Sequence, residues 1–405
     1  MKPILAAEGT TRLVFLDNNS TTRVLPEVIE AMVEALESGA GNASSAHGSG
    51  ILARQVLADA REQVSRLCGT VSGQVTFTSG ATEANNVVLR LPLTSRGASI
   101  KRVVTSTIEH SSVLGPCAAL EGHGIEMVWL RPTEDGQVPV EHVARAGLGP
   151  DTLVSLHWVN NETGVIQPVE EVASLCRSAG ALFHVDAAQA LGRLPVHFDL
   201  AGFDYMTGSA HKLHGPQGVG VLAVREGTPL APLAHGGGQE GGIRPGTENL
   251  PGVAGFGAAA RIALDGLSRN TSHVRTMRDA LESGAIARVP GAIVNGGDVE
   301  RAAGTTNLRF PGLDGEAVVA LMNQRGVYIS QSSACTNMRP EPSYVLREMG
   351  LGEDEAYESV RMCASTDTEI HDVQKALAAL SEVVGILGSE LHVPRDGQAK
   401  EAAAG

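Results

Sequence analysis

Short apolar runs, each closed by small or polar residues and most followed by a segment of helical spacing, recur between residues 75 and 224. They are Val75-Thr76-Phe77-Thr78, Val103-Val104-Thr105, Met127-Val128-Trp129, Leu153-Val154-Ser155-Leu156-His157, Leu182-Phe183-His184-Val185, Tyr205-Met206-Thr207 and the runs around 219–224. They are too short for helices and rich in β-branched residues, so they read as buried strands. Helical spacing follows at about 111–120 and 169–179, and a helix begins near Thr82. A strand, loop and helix repeated on this scale implies an α/β protein with a mainly parallel sheet covered on both faces. Ligands of such sheets collect beyond the carboxyl ends of the strands.

A chain of 405 residues is long for one core and favours two domains or three. Its 48 glycines suit many tight turns and close backbone approaches. A net charge of -14 argues against direct nucleic-acid binding and against an anionic membrane surface. Cys68, Cys117, Cys176, Cys335 and Cys363 are scattered without CxxC pairs, so neither a disulfide framework nor a bound metal is expected. The first residues, Met1-Lys2-Pro3-Ile4-Leu5, lack the apolar run of a signal peptide, and no membrane span is expected, which makes the cytoplasm the expected location.

The apolar run at 13–17 leads into a polar knot, Asn18-Asn19-Ser20-Thr21-Thr22, before Pro26 opens a helix. Residues 39–50 read as loop and 51–67 as an amphipathic helix. A long helix at about 251–280 crosses to a second domain, which carries a segment around Thr306-Asn307-Leu308, a helix near 315–325, the run Val327-Tyr328-Ile329 and an alanine-rich helix at about 367–390. The tail after Pro394 has little to bury and is expected to fray.

Several stretches can carry chemistry. Asp186 closes an apolar run, and Lys212 stands among small and polar residues in Ser209-Ala210-His211-Lys212. An active-site lysine commonly forms a Schiff base, most often with pyridoxal phosphate, and such a site needs a carboxylate opposite the pyridine nitrogen. A helix cap and a surface lysine are the plainer alternative. Thr78-Ser79-Gly80-Ala81-Thr82-Glu83 joins a strand to a helix, where free amides and hydroxyls can hold an anion or simply cap the helix. His110 follows Glu109 at a strand end and can stack on a ring and move protons, or be an ordinary hydrogen-bonded surface histidine. Asn160 and Gln189 can each present an amide to a ligand. Arg244 and Arg361 can clamp a carboxylate or form surface ion pairs. Cys335, in Gln331-Ser332-Ser333-Ala334-Cys335-Thr336-Asn337, has loop neighbours that suit a nucleophile, whereas the other four cysteines suit burial.

These motifs, in this order, resemble the cysteine desulfurases, pyridoxal phosphate enzymes of the aspartate aminotransferase-like type I fold. The likeness runs from Leu16-Asp17 to about Ile370 and includes 157–164, His184-Val185-Asp186, 236–249 and Glu341-Pro342-Ser343-Tyr344-Val345-Leu346. It implies a large domain (16–262) with a mainly parallel seven-stranded sheet, and a smaller α+β domain (1–15 and 263–393) that carries the Cys335 loop, followed by a flexible tail at 394–405. It implies that Lys212 carries the cofactor, Asp186 partners the pyridine nitrogen, Gln189 serves the ring oxygen and His110 stacks on the ring. Ala81, Thr82, Ser209 and His211 then fall at the phosphate, joined by Thr247 from the other subunit of a homodimer. Asn160 matches both a cofactor and a substrate position, and Arg361 and Arg244 are the substrate-binding candidates.

By the same resemblance, L-cysteine is converted to L-alanine and its sulfur passes as a persulfide on Cys335 to an acceptor protein. The run from 333 to 346 favours the long-loop class, which feeds iron–sulfur scaffolds or transfer-RNA thiolation; DNA phosphorothioation is a further candidate route. Ala210, His214 and Ser332, and the segment Met362-Cys363-Ala364, depart from the family pattern. Selenocysteine lyases and transaminases share the fold and are the competing readings, and a non-enzymatic scaffold is a third.

Overall fold

A computed structural model of the chain describes residues 13–331 and 341–391. In chain order it begins with β1 (Val14–Phe15), α1 (Pro26–Glu37), α2 (Gly48–Cys68), β2 (Val75–Thr78), α3 (Ala81–Leu89), β3 (Arg102–Ser106), α4 (Ser111–Glu121) and β4 (Glu126–Leu130). It continues through α5 (Val140–Ala144), β5 (Thr152–His157), α6 (Val169–Ala179), β6 (Leu182–Asp186), α7 (Phe198–Ala201), β7 (Tyr205–Ser209) and β8 (Gly220–Val224). After α8 (Leu250–Arg288) come β9 (Ile293–Val294), β10 (Thr305–Arg309), α9 (Gly315–Gln324), β11 (Val327–Tyr328), α10 (Tyr344–Glu348), α11 (Glu353–Tyr357), β12 (Ser359–Cys363) and α12 (Ile370–Leu391).

Seven strands form one sheet in the order β2-β8-β7-β6-β5-β3-β4. Only β8 runs against its neighbours; the other pairings are parallel. Alternate residues of each strand therefore enter different cores. Val104, Val154, Phe183 and Met206 pack on one face, Val103, Leu153 and Tyr205 on the other. This double burial is why the strands read as apolar runs and not as polar-apolar alternations. Phe203 anchors the first face, meeting Trp158, Phe183 and Phe198 edge-on at 5.6, 5.8 and 6.2 Å.

A separate core surrounds a three-stranded antiparallel sheet, β12-β10-β9, with α9, α12 and the parallel pair β1–β11. Val14 and Leu16 belong to this second core. Helix α8 joins the two bodies without a break: Val253, Phe256 and Ala260 pack in the large-sheet core, Met277, Leu281 and Ala285 in the second. It extends beyond the 251–280 expected from sequence. Close packing on α2 requires Gly257, where a Cβ would lie 2.7 Å from the Ala60 Cα.

Because the strands run in parallel, Thr78, Ser106, His157, Asp186 and Ser209 end at the same edge of the sheet. The antiparallel β8 starts there, with Gly220 registered against both Thr78 and Ser209. That edge is where the candidate residues gather.

Candidate active site

Asp186, at the end of β6, is buried, and both carboxylate oxygens are held. Oδ1 accepts the Ala188 N–H at 3.0 Å, and Oδ2 accepts from Asn85 Nδ2 at 2.8 Å. Each oxygen has a second lone pair, so the carboxylate can still take a proton donor. Asn85 lies inside α3 and is fully buried. Its Oδ1 accepts from Thr207 Oγ1 at 2.6 Å, and Nδ2 also donates to Ser112 Oγ at 2.9 Å. Ser112 in turn serves His110, the N-cap of α4: its backbone N–H and its hydroxyl meet His110 Nδ1 at 3.1 and 2.8 Å. Nδ1 is thus an acceptor, which places the imidazole proton on Nε2. Burial lowers the pKa of His110 and keeps the ring neutral. One asparagine therefore ties the carboxylate floor of the site to the histidine expected at its face. Sequence periodicity does not reveal it, because an Asn in the apolar run Ala84–Leu89 looks like a helix interruption.

Lys212 follows β7 in a single 3-10 turn. Its Nζ donates to the carbonyls of Asn19 and Ser20 at 2.5 and 2.8 Å, and no carboxylate pairs with it among the described residues. Burial, with Arg193 and Arg361 nearby, pushes the ammonium down from 10.5 to about 8. A lysine so placed is available as a neutral amine near physiological pH. The polar knot after β1 supplies more than these carbonyls. Asn19 Nδ2 donates to Thr305 Oγ1 at 3.0 Å, its Oδ1 accepts from Arg193 at 2.5 Å, and its backbone O accepts from Gln189 Nε2 at 2.9 Å. Gln189 Oε1 is buried without a donor among the described residues.

The anion site begins at β2. The amides of Ala81 and Thr82 open α3 with no acceptor among the described residues, as helix geometry dictates. Ser209 Oγ lies 3.9 Å from where a Cβ on Gly80 would stand. Gly220 allows this approach, since a Cβ there would sit 2.6 Å from the Gly80 Cα. His211 is held by Thr21 Oγ1 at 3.1 Å, and burial with Lys212 pushes its pKa down to about 4, so it is a neutral donor. The methyl that Ala210 adds beside the lysine is accommodated by Gly215, where a Cβ would lie 2.8 Å from that methyl.

Arg361, on β12, faces the same centre. Its Nη2 pairs with Asp17 at 2.7 Å and its Nη1 donates to Asn161 O at 3.1 Å, while the buried Nε has no acceptor among the described residues. Asn160 is turned inward: its Oδ1 accepts from the amides of Glu162 and Thr163 at 2.9 and 3.0 Å, and its Nδ2 donates to Ile108 O at 3.2 Å. Arg244 flanks the anion site at the start of α3, 3.4 Å from Glu83, whose other oxygen accepts the Ser79 N–H at 2.8 Å. Thr247 is exposed in the loop before α8. Cys335 and Ser332 lie outside the described residues, as does the tail.

Beneath His110, Glu109 is fully buried and holds a second histidine. Its Oε2 accepts the His157 N–H at 2.8 Å, and its Oε1 lies 2.6 Å from Ser106 Oγ and 3.0 Å from His157 Nδ1. Burial opposes a charge on His157, but Glu109 and Asp186 together outweigh it and raise the pKa.

The donor set fits pyridoxal phosphate: a carboxylate with spare acceptor capacity, a lysine with no carboxylate partner among the described residues, a Gln189 Nε2 with one N–H to spare and a turn with free amides. The class-V aminotransferase model matches residues 14–375. A cysteine desulfurase from Cereibacter sphaeroides is 42% identical over 374 residues, 92% of this chain and 95% of that protein. A solved NifS-like protein superposes with a TM-score of 0.86 at 33% identity, covering 93% of this chain and all of that one (100%). The structure described as SspA in complex with cysteine has a TM-score of 0.77 at 32% identity, covering 87% and 99% of the two chains. The fold is thus the pyridoxal phosphate type I architecture, with desulfurase-type chemistry. The chain belongs to the class-V aminotransferase family, among its NifS-like cysteine desulfurases.

Proposed function

We propose that this protein is a homodimeric cysteine desulfurase that converts L-cysteine to L-alanine and passes the sulfur through Cys335 to an acceptor protein. The observation that carries the reading is the Lys212 amine, unpaired with any described carboxylate and brought to about 8, in the site whose floor is Asp186. When bound, pyridoxal phosphate supplies the electron sink that lets a proton leave the substrate α-carbon. Asp186 would hold the proton at the ring nitrogen, and Asn85 keeps that carboxylate in place. Gln189 Nε2 would donate to the ring oxygen, and the Ala81 and Thr82 amides, Ser209 and His211 would hold the phosphate, with the partner subunit's Thr247. Arg361 Nε, which lacks an acceptor, takes the substrate carboxylate beside Asn160.

Lys212 Nζ moves the α-proton, a role that suits a base with a pKa near neutrality. His110, kept neutral by burial, would stack on the ring and relay a proton. The Cys335 thiolate attacks the substrate sulfur: the C–S bond breaks, an S–S bond forms, and the carbon is protonated to give alanine. Cys335 leaves the step as a persulfide. The large-sheet body up to about 262 forms the cofactor lobe in this reading, and 263–393, whose core also takes in Val14 and Leu16, carry the sulfur-accepting loop. An iron–sulfur scaffold or a sulfur relay protein is the class of acceptor.

The test is turnover of L-cysteine by the purified protein with a thiol reductant and no keto acid. Equal yields of alanine and sulfide support the reading. A requirement for a keto acid would make the protein a transaminase, and turnover confined to selenocysteine would make it a lyase for that substrate.

A further inference from the structure

A cavity of about 90 Å³ reaches Lys212 from between the two bodies without being lined by Asp186, Gln189 or His110. A single water needs roughly 10–15 Å³ of such space, so this one accommodates a molecule of several heavy atoms. One side is apolar, with Leu25, Ile262 and Val274. The other carries Arg193, whose guanidinium has no carboxylate partner among the described residues.

Arg193 Nη1 donates to Asn19 Oδ1 at 2.5 Å, and Nη2 donates to Asn18 O and Lys212 O at 3.1 and 3.2 Å. A guanidinium has five N–H donors, so these three neutral acceptors leave donors over as well as an uncompensated charge. Burial lowers the pKa of Arg193 to about 10, which still leaves it charged at neutral pH. Two hydroxyls also stand nearby, on Ser365 and Thr366. His214 Nδ1 donates to Arg23 O at 2.8 Å, so its Nε2 is an acceptor facing both Ser365 Oγ at 2.8 Å and Thr366 Oγ1 at 3.1 Å. The two hydroxyls share that lone pair and line the same end of the cavity.

We infer that this cavity is a binding site for a short-chain aliphatic carboxylate, with the carboxylate on Arg193 and the chain against Leu25, Ile262 and Val274. The site is regulatory in character. Its walls come from both bodies and include Lys212, and Arg193 is bonded to the peptide oxygen of Lys212, so an occupant acts on the placement of the lysine. Nothing in the inference depends on which sulfur acceptor the protein serves or on Cys335.

The experiment is calorimetric titration of the holoenzyme with butyrate, and with n-butanol as an uncharged molecule of the same chain length. Butyrate should saturate one site, and butanol should bind at least about tenfold more weakly, because Arg193 has no charge to meet. Ala263→Leu and Ala303→Val fill the cavity from different walls, and each should weaken butyrate at least about tenfold while the cofactor spectrum stays unchanged. If one variant fails to fold, the other decides. The inference is overturned by an absence of saturable butyrate binding, by equal binding of butanol, or by binding that survives filling of the cavity and is lost in Arg361→Met. The last result would place the carboxylate in the substrate site.

Discussion

At the scale of single residues, the pKa of Lys212 governs when the site can take up its cofactor. Only the neutral amine attacks an aldehyde, and burial with Arg193 and Arg361 brings that amine to about 8. Covalent attachment of pyridoxal phosphate to the apoprotein, trapped by borohydride, should therefore speed up about tenfold per pH unit below about 8 and level off above it. A midpoint near 10.5 would show an unperturbed lysine. Stability carries the same signature. The unfolded chain binds the Lys212 proton more tightly, so apoprotein stability should rise with pH between about 8 and 10.5, and Lys212→Met should remove that rise. Asp186→Asn keeps an oxygen for the Ala188 amide but loses the charge opposite the ring nitrogen. Exchange of the α-proton of bound cysteine, followed by NMR in deuterated water, should fall by roughly 10²-fold, as for loss of other preorganised electrostatic partners. Unchanged exchange would reduce Asp186 to a structural cap. Asp186, Lys212 and His110 were legible because each ends or follows an apolar run. Asn85 and Arg193 were not, since their meaning comes from partners far away in sequence.

The elements place these side chains by backbone proximity more than by side-chain packing. Strands β2 and β8 bring Gly80 and Gly220 together, and the phosphate turn depends on that contact. Gly220→Ala inserts a methyl 2.6 Å from the Gly80 Cα. It should cost about 1–3 kcal/mol of stability, the usual range for overpacking, and weaken pyridoxal phosphate binding. Urea unfolding of the apoprotein and a cofactor titration measure both, and wild-type values in both would show that the approach is not needed. The strands of the large sheet were readable in advance because burial on both faces leaves each one almost wholly apolar. The two-residue strands β1 and β9 have no such pattern, and their pairing is set by the second core. The turn at Thr78–Glu83 was legible as an anion site or a cap. The contact between Arg244 and Glu83 that flanks it joins segments far apart in the chain, and the sequence alone left Arg244 open between a carboxylate clamp and an ion pair.

Across the whole molecule, the cysteines separate by environment. Cys68, Cys117, Cys176 and Cys363 are all buried. Burial pushes the first three thiols up to about 12, and it raises Cys363 as well. Iodoacetamide at neutral pH should therefore leave these four unmodified in the native protein, as peptide mass mapping can show. The fold class and most of the site were legible because the motifs fall at strand ends along one edge of one sheet. The relation between the two bodies was not, because it rests on contacts such as Arg361 with Asp17 and His214 with Ser365 that no local pattern encodes. The central claim is that sulfur leaves L-cysteine for Cys335. Its most direct test is intact-mass and peptide analysis of the protein after one turnover without reductant, in the wild type and in Cys335→Ser. The account predicts a sulfur adduct on Cys335 with release of alanine, and in the variant neither, although cofactor and cysteine still bind. An adduct on Cys363, or alanine formed at the wild-type rate by Cys335→Ser, would contradict it.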